Sequence, residues 1–184
     1  MIALFLLACA TTSSVTPAPV VVEPVPLRVG VAPLEARSGS TVSGTVTFRE
    51  FPNPHAGHDG APATEVRVLI EVRGATPGDH AVHVHEKGDC SATDGSSAGG
   101  HFNPEGRPHG DHAAAEKHPG DFGNLTVGAD GTGRKELVVS SLTLGDGPLS
   151  VAGRGVIVHE KPDDFGQPTG NAGGRQACGV IALQ

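Results

Sequence analysis

Apolar and polar residues alternate with a period of two along several short stretches of the chain, the pattern of strands with one buried face. Thr41–Phe48 reads Thr-Val-Ser-Gly-Thr-Val-Thr-Phe, and Glu65–Val72 places Val66, Val68, Ile70 and Val72 on one side. Ala81–His85 is a short strand with Val82 and Val84 on one face and His83 and His85 on the other. Further strands are predicted at Leu125–Val127, Lys135–Val139, Arg154–Val158 and Cys178–Leu183. Turn-rich segments separate them, among them residues 52–63 (PNPHAGHDGAPA). The chain has no βαβ spacing, no GxGxxG, no phosphate-binding loop and no internal repeat. Many short strands joined by turns predict an all-β sandwich or barrel.

One segment breaks the pattern. Residues 86–123 are almost without apolar periodicity, and a loop of that length inside a domain is usually functional. Composition sharpens the point. The chain of 184 residues has 27 glycines and 15 prolines, more than a fifth of the total, which disfavours long helices. It lacks Trp and Tyr and has only 6 Phe, yet it carries 10 histidines. The net charge of −7, with no run of Lys and Arg, excludes a protein built on nucleic-acid phosphate contacts.

Most of the histidines flank the structureless loop, which suggests metal coordination, because ligand binding supplies folding energy directly. In His83-Val84-His85 the two imidazoles project to one face, with Cα atoms ~7 Å apart, and can chelate one ion. His159 ends a strand and can complete a site with them. His101, His109, His118 and Asp121 offer three imidazoles and a carboxylate, a closed tetrahedral set for zinc.

The N-terminus has its own character. Ile2–Ala8 is an apolar run too short to span a bilayer but suited to a short signal segment, although no Lys or Arg precedes it. It ends at Cys9 in the stretch LLAC, which resembles a bacterial lipoprotein cleavage box in which the cysteine becomes lipidated. Residues 10–27 are a Pro-, Thr- and Ser-rich tether held extended by X-Pro pairs. The folded domain is expected over 28–184. Export to the periplasm or anchoring to the cell envelope through Cys9 is the expectation, and Cys90 and Cys178 suit an oxidising compartment.

Five segments, in order, resemble the copper–zinc superoxide dismutases of the bacterial, exported type: HVHEKGDC (83–90), GGHFNPEGRPHG (99–110), KHPGDFGNL (117–125), GRGVIVHEKPDD (153–164) and GNAGGRQACGVIAL (170–183). The resemblance implies an all-β, Greek-key β-sandwich or barrel, immunoglobulin-like, with long metal-binding and electrostatic loops. It implies copper held by His83, His85, His101 and His159, and zinc held by His101, His109, His118 and Asp121. His101 is then shared, as seven ligand residues for two four-coordinate sites require. Asp163 is implied to hydrogen-bond His83 and His109, Cys90 and Cys178 to form a disulfide, and Arg175 to orient an anion beside the copper. Arg175 and His101 are the implied catalytic residues. The implied substrate is the superoxide anion, dismutated to dioxygen and hydrogen peroxide.

The chain departs from the animal enzymes in two places. The segment from His159 to Arg175 is shorter and lacks their acidic and lysine steering cluster, leaving Lys87, Lys117 and Lys161 as candidates to assist. The Gly- and Ser-rich stretch SATDGSSAGG follows Cys90 in a region where the animal enzymes make subunit contacts, so both a monomer and a homodimer stay open. His80 matches a position that packs in the fold. His112 has no matched role, and His55 and His58 form at most a weak extra metal site. The alternative to the enzyme is a noncatalytic periplasmic copper or zinc binder, which needs the ligands but not Arg175.

Overall fold

A computed structural model describes residues 24–58 and 60–184. The apolar run Ile2–Ala8, Cys9 and the tether up to residue 23 lie outside the described residues. Among those described, no helix is long and apolar enough to cross a membrane.

Among the described residues nine strands follow in order: β1 (Arg28–Ala36), β2 (Ser43–Pro52), β3 (Thr64–Arg73), β4 (Gly78–His85), β5 (Asp121–Val127), β6 (Thr132–Val139), β7 (Gly155–His159), β8 (Arg175–Val180) and β9 (Ala182–Leu183). Their spatial order is β2-β3-β6-β5-β4-β7-β8-β1, and β1 pairs again with β2, so eight antiparallel strands close a barrel. β9 continues past β8 along β1. The β3–β4 and β6–β7 connections each pass over two strands, the Greek-key arrangement. The expected all-β Greek-key class is thus realised as one closed sheet, which leaves no long open edge.

The alternation read from the sequence fills the interior. Val46 and Phe48 of β2, Val66, Val68 and Ile70 of β3, and Val82 and Val84 of β4 all belong to one buried core. β1 escaped the sequence pattern. Its inward positions include Gly30 and Ala32, and Pro33 interrupts it, so hydrophobic periodicity is weak there. The small residue at Gly30 is required by crowding, since a Cβ would lie 3.0 Å from Ile181 and 3.1 Å from Leu144.

With Val82 and Val84 turned inward, period-two alternation turns His83 and His85 to the outer wall of the barrel. They are buried all the same, at 0% and 1% exposure, because two loops cover them. The first runs from β4 to β5 and contains a 3-10 turn at Ser96–Ala98. It is held by Lys87 N–H to Ala98 O and Glu86 N–H to Gly100 O, and by the disulfide Cys90–Cys178 with Cα atoms 5.7 Å apart. The second runs from β7 to β8 and folds on itself through Glu160 N–H to Gly174 O and Lys161 N–H to Ala172 O.

Candidate metal centre

β4, β7 and β8 are neighbours, so the ends of all three present side chains to the space beneath the loops. Val82–His85 pairs with Gly155–Val158, and His159 pairs with Arg175 across a register shift. His101 reaches the same place from the first loop, bridged to His85. The ligand atoms of His83, His85, His101 and His159 consequently lie within 4.8 Å of one another.

A second group sits beside the first. β5 leaves its register with β4 between Asn124 and Asp121, opposite Ala81 and His83, and this bulge aims Asp121 at the loop histidines. Gly123 adopts φ +66 in the bulge, a conformation that favours glycine. Ligand atoms of His83, His101, His109 and Asp121 lie within 4.8 Å of one another. His118 completes the set: its Nδ1 is 3.3 Å from His101 Nδ1 and 3.2 Å from Asp121 Oδ1, and His101 Nδ1 is 3.2 Å from that oxygen. Ligand atoms bound tetrahedrally at zinc distances are about 3.3 Å apart, so these three atoms already have the spacing of a zinc shell. His109 Nδ1 is 2.9 Å from Asp121 Oδ2, yet it lacks the alignment of a hydrogen bond to it.

The hydrogen bonds of these rings decide which nitrogens are free. His83 Nε2 donates to Asp163 Oδ2 at 2.7 Å, and His109 Nε2 donates to Asp163 Oδ1 at 2.9 Å. His85 Nδ1 donates to Gly99 O at 3.0 Å. A carboxylate or carbonyl only accepts, so each neutral ring keeps its lone pair on the opposite nitrogen. Those opposite nitrogens, His83 Nδ1, His85 Nε2 and His109 Nδ1, are buried without a partner, as are both nitrogens of His159. One such orphan costs about 1–3 kcal/mol, and several converging in one cluster are the mark of a metal site. The residues present therefore fit a pair of metal ions.

Ionisation agrees. Burial pulls His85 down to about 2 and His101 to about 4, and lowers His159 well below 6.5, so these rings are neutral donors at neutral pH. Burial alone would raise Asp121 and Asp163. Hydrogen bonds from His101 and His118 and the close approach of His109 outweigh it for Asp121, hydrogen bonds from His109 and His83 outweigh it for Asp163, and both carboxyls fall well below the usual range. Burial also opposes the charge on His109, but the adjacent Asp121 carboxylate, the hydrogen bond to Asp163 and the negative charge of both prevail and lift it to about 9. A group with a raised pKa holds its proton at pH 7.5 and must release it when a cation takes its nitrogen. Zinc binding to the stripped protein is expected to release a proton from His109 at pH 7.5 and progressively less above pH 9. Calorimetric titration in buffers of different ionisation enthalpy measures this, and zinc uptake without that pH dependence contradicts the assignment.

Gly170 shows how tightly the second loop is fitted. A Cβ there would lie 1.9 Å from Asp163 Oδ1 and 2.7 Å from His109 Nε2, and its φ is +74.

The first group opens to solvent through a cleft of about 320 Å³ lined by His85, His101, His159, Thr169 and Arg175. Arg175 is fixed at its rim by Nη1–H to Gly95 O and Nη2–H to Gly99 O, both 2.7 Å. The Gly99 carbonyl thus ties Arg175 to His85. A larger groove of about 610 Å³ over β2, β3 and β6 contains none of these residues.

Other sequence candidates fall elsewhere. His55 and His58 are exposed in the 53–63 loop and belong to neither group. Lys117 is turned to Ala114 O, whereas the Lys161 stem packs beside Gly173 at the cleft. His80 is buried, and its Nδ1 donates to His159 O at 2.8 Å. His112 Nδ1 is buried without a partner, outside both groups. Asn124 was missed by sequence reasoning. Its amide donates to Asp163 O (3.0 Å) and its side-chain oxygen accepts from Asp163 N–H (2.6 Å), clamping the backbone of that carboxylate. Nothing in the linear pattern marks it, since its partner is 39 residues away.

A closed antiparallel barrel bearing two adjoining groups of buried ligand atoms, with His83 and His101 common to both, defines a β-barrel protein built to hold metal. Residues 42–181 match the family model of copper/zinc superoxide dismutase. The chain is 41% identical over 156 residues to "Superoxide dismutase [Cu-Zn]" of Onchocerca volvulus, covering 79% of this chain and 91% of that protein. It is also similar to the crystal structure of the clock protein EA4, with a TM-score of 0.72, 37% identity, and coverage of 88% of this chain and 98% of that one. The chain belongs to the copper/zinc superoxide dismutase family.

Proposed function

We propose that the protein dismutates superoxide at a copper ion held by His83, His85, His101 and His159, beside a zinc ion held by His101, His109, His118 and Asp121. The observation that carries this is the sharing of His101 by two groups of buried, unpartnered ligand atoms, one of which opens to a cleft under Arg175. When bound, copper supplies a one-electron couple that turns two superoxide ions and two protons into one dioxygen and one hydrogen peroxide, while zinc keeps its valence. The chain supplies the rest. Asp163 fixes His83 and His109 from opposite oxygens, and Gly99 O fixes His85. His101 has Nδ1 among the zinc-side ligands, and its other nitrogen can face copper and exchange a proton there. Arg175 attracts and orients the anion, a local effect that must overcome a net charge of −7.

Metal analysis paired with a superoxide assay tests this. Copper and zinc near one each with rapid turnover support it; stoichiometric copper with no turnover leaves only the noncatalytic binder. Arg175→Ala is expected to lower the rate by about tenfold or more and to weaken its salt dependence, with metal content near normal. Arg175→Lys, which keeps the charge, is expected to fall between. Equal rates for all three proteins would remove Arg175 from the mechanism. We also read the protein as exported, a reading supported by the disulfide, which persists in oxidising compartments. Mass spectrometry of the native protein for a lipid on Cys9 tests the anchored form.

A further inference from the structure

β6 carries a lysine where a hydrophobic residue is expected. Along this strand Gly133, Leu137 and Val139 are buried and Thr132, Arg134, Glu136 and Val138 exposed, so Lys135 occupies an inward position and is half-buried. The β5–β6 ladder explains what it does there. Only Val127 and Gly133 are paired; beyond them the two strands part, and no β6 N–H is paired with the carbonyls of the β5 bulge. Lys135 Nζ takes their place, donating to Phe122 O at 2.7 Å and Asn124 O at 2.8 Å. These carbonyls flank Gly123, so one ammonium staples the bulge from both sides. On one side of the staple is Asp121, with His101, His109 and His118 around its carboxylate. On the other is Asn124, the clamp on the backbone of Asp163.

The geometry points to Lys135 as a positioning residue for the zinc side of the centre: by bridging Phe122 O and Asn124 O it fixes Asp121 directly through the bulge and Asp163 through Asn124. This rests on the zinc reading given above. A ligand carboxylate held by its backbone loses affinity for the metal when that support is removed, by about 10–100-fold where an outer partner of a ligand is deleted. Asp111 also lies near the staple, its Oδ2 and Lys135 Nζ each 3.7 Å from where a Gly123 Cβ would stand, but it makes no ion pair with the lysine.

The test uses the holoprotein and three variants. Lys135→Met keeps length and apolar volume without donors. Lys135→Arg keeps donors. Val139→Ala, on the same strand and in the core, controls for general loss of stability. Zinc affinity is measured by competition with a chromophoric chelator, and ligand geometry from the absorption bands of cobalt(II) put in place of zinc. Lys135→Met is expected to bind zinc about 10–100-fold more weakly with shifted cobalt bands, Lys135→Arg to restore most of the affinity, and Val139→Ala to lower Tm with affinity and bands unchanged. Parent-like affinity and bands in Lys135→Met would overturn the inference, as would an equal loss in Val139→Ala. If Lys135→Met does not fold, Lys135→Gln, a neutral donor, is judged against Val139→Ala by the same measures. A parent protein that fails to hold zinc sinks the zinc reading itself, whereas a zinc-binding parent with an indifferent Lys135→Met sinks only the staple.

Discussion

His101→Ala is expected to abolish dismutation and to strip both metals, not one. The reason is the position of this ring. Its ligand atoms belong to both groups, and its Nδ1 stands at 3.2–3.3 Å from Asp121 and His118, whereas His83, also near both, has its Nε2 taken by Asp163. On the proposed assignment its removal takes a donor from both metal sites, which costs more than the 10–100-fold loss that follows deletion of an outer hydrogen-bond partner. Copper and zinc affinities are each expected to fall by more than about 100-fold. His112→Ala serves as the counterpart, because His112 lies in the same loop but in neither group. Its metal content and rate are expected to match the parent. Metal analysis after dialysis against a chelator gives the answer, and loss of one metal with retention of the other in His101→Ala would refute the shared ligand.

The second large effect concerns the disulfide. Cys90 and Cys178 are 88 residues apart in sequence, and closing a loop of that length in the unfolded chain corresponds to about 4–5 kcal/mol. Cys178 is fully buried in β8 with Ile157 and Ala98, and Cys90 packs against them. Ala98 closes the 3-10 turn next to Gly99, whose carbonyl accepts from both His85 and Arg175. The double change Cys90→Ser, Cys178→Ser is therefore expected to lower unfolding stability by about 4–5 kcal/mol and to loosen the copper side of the centre. Chemical denaturation of both proteins in chelator isolates the stability change from metal binding. A loss under about 1 kcal/mol would mean that the 86–120 loop is held without the bond.

Much of the site was legible because the residues that bind metals are chemically rare and their local spacing survives folding. His83-Val84-His85 was readable from strand alternation alone, and the pairing of His101, His109, His118 and Asp121 from donor type. Other parts were not legible for a geometric reason. β1 turns Gly30, Ala32 and Leu34 inward and is interrupted by Pro33, so its inward face has only a weak hydrophobic signature, although it closes the barrel against β2 and β8. Lys135 looked like a polar residue at the start of a strand. Only the parting of β5 from β6 gives its ammonium two main-chain carbonyls to bridge. Asn124 and Gly99 act through backbone groups that no side-chain pattern records.

The sequence by itself determined the all-β class, the core faces of its strands and the set of side chains able to hold two metals, since alternation and donor chemistry are local properties of the chain. The tertiary structure alone decided which nitrogen of each ring is free, because that depends on acceptors such as Gly99 O and Asp163, 14 and 80 residues away from the rings they orient. It also decided that His101 stands between the two groups, and that Arg175 reaches the rim of the cleft over His85, His101 and His159. Those relations arise where β4, β7, β8 and two loops meet, and distances across the fold are not encoded in spacing along the chain.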